Sequence, residues 1–142
     1  MPEPPVPAAV EEFLRGPHAA VVASVRTDGA PHTAATWYDW EDGRLLLNMD
    51  QSRLRLRFLR ADPRVTLTVL DSQSWYRHIS LLGTVEELRP DEGLVDIDRL
   101  ARRYTGEPYP DREHPRVSAR VRVDRWHGWD ASGAILTHAD WR

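Results

Sequence analysis

The chain has 142 residues, 41% hydrophobic and 29% charged, with 19 cations against 22 acids for a formal charge of −3. That length suits one domain with a real core, and the balance excludes a collagenous, coiled-coil or mostly disordered chain. No apolar run approaches the ~18 residues of a membrane span, the slight acidity argues against a nucleic-acid binder, and the lack of cysteine removes disulfides, thiolate metal sites and thiol nucleophiles.

Residues 1–7 carry four of the eleven prolines and little to bury, so they read as a disordered or extended leader. They have neither a basic nor an apolar signal region, which makes the cytoplasm the expected compartment. Val10, Phe13 and Leu14 have helical spacing, and Gly16-Pro17 would stop a helix over Ala8–Arg15. Ala19–Val25 reads as a strand, Asp28-Gly29 as a hairpin turn, His32–Trp40 as the return strand, and Arg44–Met49 as a third strand after Asp42-Gly43. Together these predict a three-stranded meander.

From Arg53 to Phe58 the chain alternates with period two, yet Leu54/Phe58 and Leu56/Leu59 also fit helical spacing. With Asp50 or Ser52 as an N-cap and Asp62-Pro63 as a stop, the reading favours a helix. Arg64–Leu70 and Trp75–Leu88 follow as strands, and Gly83 inside the second predicts a bulge or a close backbone approach. Leu94, Ile97, Leu100, Ala101 and Tyr104 form one stripe of a helix over Asp91–Tyr104. Val117, Ala119, Val121 and Val123 give the clearest alternation in the chain, and residues 131–142 read as a tail. About six strands separated by turns, with two or three helices, predict a mainly β, antiparallel barrel.

The densest chemistry lies at Ser52–Arg60, which holds four arginines and no acid. The chain contains no lysine, so any anion site must use guanidinium forks. Arginines beside a helix N-terminus suit a phosphate; the alternative is a solvated basic face. Trp37, Tyr38, Trp40, Trp75 and Tyr76 could stack on a planar ligand or fill a core or interface. Alternation places Trp37 and Tyr38 on opposite faces. The histidines show no metal-ligand spacing, and no nucleophile elbow or glycine-rich phosphate loop is present. Asp28/Asp39 and Asp96/Asp98 read as turn and helix-surface residues rather than acid pairs. A phosphate site and aromatic surface without an evident acid, base or nucleophile suit an enzyme whose chemistry belongs to a bound cofactor.

Thr27–His32, Asp42–Asn48, Arg53–Val65, Gly83–Glu86 and Arg116–Trp129, in that order and spacing, resemble the pyridoxamine-phosphate-oxidase-like split β-barrel superfamily over about residues 8–130. Arg103–Pro108 (Arg-Tyr-Thr-Gly-Glu-Pro) is similar to its flavin/deazaflavin oxidoreductases of branch B. The resemblance implies a homodimer with two cofactor sites between subunits, F420 or FMN as cofactor, and hydride transfer to a small conjugated substrate. An FMN oxidase and a non-catalytic cofactor carrier are the alternatives. By position, Arg53 and Arg55 would grip the cofactor phosphate, with Ser52 and Leu54 beside them. Asn48, Met49 and Asp50 would run along the ring and its side chain, and His32 to Trp37, with Ala35 and Thr36, would line the ring. Trp75 and Tyr76 would come from the partner subunit, and a proton from solvent, His32 or Tyr38.

Overall fold

The structure, a computed structural model, describes residues 1–133. It contains α1 (Ala8–Leu14), β1 (Ala19–Val25), β2 (Pro31–Thr36), β3 (Asp39–Glu41), β4 (Arg44–Asp50), α2 (Leu54–Ala61), β5 (Arg64–Leu70), β6 (Arg77–Pro90), α3 (Val95–Thr105) and β7 (Arg116–Asp130). The seven strands form one antiparallel sheet in the order β2-β1-β5-β6-β7-β4-β3. The architecture is therefore mainly β with three α-helices, as the alternation predicts. No helix among the described residues is long and apolar enough to cross a membrane.

The sheet must curl. Its two edge strands, β2 and β3, are separated by only Trp37 and Tyr38. Three Cα steps span at most about 11 Å, whereas seven flat strands would set their edges about 29 Å apart. The long β6–β7 ribbon makes the bend: one stretch pairs β6 with both β5 and β7, another pairs β7 with both β6 and β4. The two stretches meet at Thr84, which pairs with both Arg64 and Arg122, and register shifts at Leu82/Gly83 and Val85/Glu87 flank it. Inside sit Val22, Leu47, Val65, Leu67, Ile79, Leu81, Val121 and Trp126, with α1 and α2 adding Val10, Leu14, Leu56 and Leu59.

Several expectations change. The return strand breaks at Trp37-Tyr38, because Tyr38 drops into the core (0% exposed) and its hydroxyl donates to the Leu14 and Gly16 carbonyls. That break yields a seventh strand, β3. It also breaks the meander: of the expected return strand only Asp39 and Trp40, now in β3, pair with β4, whose other neighbour is β7 and not β2. Trp75 and Tyr76 lie in the turn before β6 rather than within it. α3 starts at Val95, since Gly93 (φ 67°) and Leu94 (φ 58°), within a 3₁₀ turn over Glu92–Leu94, adopt the left-handed conformation. β7 continues to Asp130, so the expected tail begins where it ends and lies beyond the described residues from 134 onward. The leader is docked, with the Pro2 carbonyl accepting from the Trp126 amide (3.1 Å) and Glu3 paired with Arg125.

Candidate functional site

A cleft of about 490 Å³ opens at the seam between the sheet edges. β2 supplies His32, Ala34, Ala35 and Thr36, and Trp37 follows it. β4 supplies Asn48 and Met49, the start of α2 supplies Arg53, Leu54 and Arg55, α3 supplies Ile97 and Leu100, the segment before β7 supplies Tyr109, and β7 opens with Arg116.

α2 forms where the sequence was ambiguous because Leu56 and Leu59 reach the core at helical spacing (both 2% exposed). Its first turn carries no side-chain cap; the Arg53 and Leu56 amides donate to the Asp50 and Arg53 carbonyls (3.0 Å each), which leaves the N–H groups of Leu54 and Arg55 to point outward. Asp50 and Ser52, the expected caps, bond to each other instead: Asp50 Oδ1 accepts from the Ser52 amide (2.8 Å) and hydroxyl (2.6 Å). This bonding lowers the Asp50 pKa.

Arg55 is half-buried on the cleft side of α2, and its Nε is buried without a partner. Burial lowers its pKa, and Arg53 and Arg116 act in the same direction. Among the described residues, no carboxylate forms an ion pair with Arg53, Arg55 or Arg116. His32 is a second orphan: its Nδ1 is buried without a partner while its ring packs edge-on to Phe58 (5.4 Å between centroids).

The opposite wall is aromatic and apolar. Trp37 stacks on Tyr104 (5.4 Å, 8° between planes) and meets Tyr109 edge-on. Arg103 holds this wall from behind, donating to Tyr38 O (3.0 Å) and to the Gly16 and Leu14 carbonyls at the end of α1 (2.6 and 3.3 Å). Tyr38 does not line the cleft; its hydroxyl bonds to the Leu14 and Gly16 carbonyls, and burial raises its pKa. Asp96 is not the surface acid expected: it is 8% exposed, and bonds from Ser118 and Arg89 outweigh burial to lower its pKa.

Of the expected site residues, the cleft brings together His32, Ala35, Thr36, Trp37, Asn48, Met49, Arg53, Leu54 and Arg55. Asp50 and Ser52 do not line it. Trp75 does not reach it either; it is 61% exposed and stacked on Tyr76 (4.2 Å). Sequence reasoning missed Arg116, Tyr109 and the cleft-facing role of Ile97 and Leu100, which had been read only as a helix stripe. Asp50, Asp111 and His114 each bring one ligand-type atom to within 4.8 Å of the others; the exposed Asp111–His114 pair (2.8 Å) accounts for two of them.

The family model described as pyridoxamine 5'-phosphate oxidase matches residues 6–130. The chain belongs to this family. No curated protein matches it. Among solved structures, one named F420 reductase is 32% identical, with a TM-score of 0.77 over 85% of this chain and 98% of that one. A conserved hypothetical protein of Mycobacterium tuberculosis is 26% identical, with a TM-score of 0.69 over 96% and 91%. A heme binding protein of Mycobacterium smegmatis, 22% identical with a TM-score of 0.60 over 88% and 55%, shares the fold. The split barrel of the pyridoxamine 5'-phosphate oxidase family thus accounts for the curled sheet and for a cleft at its seam.

Proposed function

We propose that the protein is an oxidoreductase that binds the deazaflavin F420, or FMN in its place, in this cleft and passes hydride to a small conjugated substrate. The observation that carries the reading is Arg55, a guanidinium half-buried at the uncapped start of α2 with an orphaned Nε. Such a group calls for an anionic partner, because a desolvated charge without one is costly. Family membership and the likeness to an F420 reductase support the choice of cofactor.

The residues fit such a ligand. Arg53, Arg55 and the free N–H groups of α2 would hold its phosphate. Trp37, Ile97, Leu100 and Tyr109 would flank its ring and keep water from that face. When bound, the cofactor supplies the two-electron chemistry. His32, at the same cleft, has a buried Nδ1 free to bond to a ring heteroatom. A homodimer belongs to the same reading, with Trp75 and Tyr76 reaching the partner's cleft.

Titration with F420 and with FMN, followed by fluorescence, tests it. Replacing both Arg53 and Arg55 by Ala weakens binding by about 2–4 kcal/mol, since charged hydrogen bonds contribute about 1.5–3 kcal/mol each and exposed Arg53 contributes less. A double variant that binds both ligands as tightly as the parent refutes the site. Purification of a yellow protein with flavin absorbance from a host without F420 assigns FMN.

A further inference from the structure

The orphaned charge at this cleft is larger than one pair of arginines. Arg116 opens β7 and lines the same cavity. Its Nε donates to Asn48 Oδ1 (2.7 Å), its guanidinium carbon sits 4.7 Å from the centre of the Tyr109 ring, and one terminal nitrogen is 3.4 Å from the Tyr109 hydroxyl. No carboxylate among the described residues forms an ion pair with it. Elsewhere, by contrast, Arg44 is paired with Glu86, Arg64 with Asp62 and Arg112 with Asp98. Asp50, opposite Arg116 across the β4–β7 ladder, directs its Oδ1 to Ser52 instead.

A buried relay sets this geometry. Asp91 bridges the start of α3, its Oδ1 accepting from the Asp96 amide (2.9 Å) and its Oδ2 from the Ile97 amide (2.9 Å). Asp91 Oδ2 also accepts from Asn48 Nδ2 (3.0 Å). The Ser118 hydroxyl donates to Asp96 Oδ2 (2.6 Å), so its oxygen is left to accept from the same Asn48 nitrogen (3.1 Å). Both acceptors face the Asn48 NH₂, which fixes the amide and turns its carbonyl to Arg116. Asn48, Asp91 and Ser118 are 6%, 8% and 1% exposed, so this orientation is not exchanged for water contacts.

Resting on the function proposed above, we propose that Arg116 is a third arm of the anion site, held over the cleft by Asp91 through Asn48. The site then selects a ligand whose phosphorylated tail carries at least two negative charges. Arg116 would bind the tail; Asp91 is a positioning residue.

The test measures how much each ring prefers to bind with its tail: FMN against riboflavin, and F420 against its ring system without the phosphate-bearing tail. In the parent the tailed ligands bind more tightly. Arg116→Gln lowers that preference about tenfold or more, the tailed ligands losing more affinity than the tail-less rings. Arg116→Lys restores part of it, and Asp91→Asn lowers it a few-fold. If Arg53→Ala with Arg55→Ala abolishes the preference but Arg116→Gln does not, this inference fails and the functional reading stands. If neither change moves it, or the parent shows no preference, both fail. Equal loss for tailed and tail-less ligands in Arg116→Gln, unrelieved in Arg116→Lys, marks a structural role and also overturns the inference.

Discussion

His18 follows the turn that ends α1, its ring stacked on Phe13 (4.3 Å, 14°) and its Nδ1 accepting from the Ser72 amide (3.2 Å). Burial lowers its pKa, Asp71 opposes the shift and Arg103 reinforces it. A histidine whose folded pKa lies below the unfolded value of about 6.5 binds fewer protons in the native state, so stability rises with pH across that interval and falls as pH drops below about 6.5. His127 is shifted the same way, by burial and then by His78. We expect the urea midpoint to fall between pH 7.5 and pH 5, and His18→Gln, which keeps an acceptor for the Ser72 amide, to shallow that fall. An unchanged slope in the variant rules out His18 as a source. The sequence shows a histidine after Gly16-Pro17 but not this environment, because Ser72 is 54 residues away and no local pattern encodes the contact. Arg103 is a similar case: its motif was visible, whereas its grip on the end of α1 spans 87 residues.

At the scale of elements, local periodicity was enough wherever one face of a strand or helix is buried. β1 and β5 run as read, because Val65, Leu67 and Val69 point into the core between partly exposed threonines. β2 and β3 were merged because an apolar, aromatic run continues through Trp37-Tyr38; the break is imposed by Tyr38 reaching across to α1. The Gly83 signal was legible, and its physical basis is now specific. A Cβ there would lie 2.3 Å from the Arg122 carbonyl oxygen and 2.7 Å from a Val121 methyl carbon. Backbone cannot yield as a flexible side chain can, so β6 and β7 would have to separate at their bend. Gly83→Ala is expected to destabilise the protein by about 1–3 kcal/mol, the usual range for overpacking, measured by chemical denaturation. If the close approach at the bulge is not structural, the variant will unfold at the parent's midpoint.

For the whole molecule, the legible and illegible parts of the site divide along the chain. The residues from β2, β4 and α2 that meet in the cleft lie between positions 32 and 55; the arginines of α2 stand out by charge alone, and those of β2 and β4 come from one resemblance. Arg116 and Tyr109 join them only because β7 returns beside β4, with Arg116 opposite Asp50, a long-range pairing that alternation within β7 does not predict. Trp75 raises the opposite question, since its own chain leaves it exposed. On the sheet, Val21 (36%) and Trp129 (40%) are also exposed, with Trp129 opposite His78. Two exposed tryptophans and a tyrosine are more than a small monomer usually leaves in water, and such residues are enriched at interfaces. A second copy is the occupant that the proposed function requires. Sedimentation should therefore give twice the 16.3 kDa chain mass, and Trp75→Ala with Tyr76→Ala should weaken both self-association and cofactor affinity. A parent that sediments as a monomer at micromolar concentration, or a double variant that stays dimeric and binds cofactor like the parent, would separate these aromatics from the site.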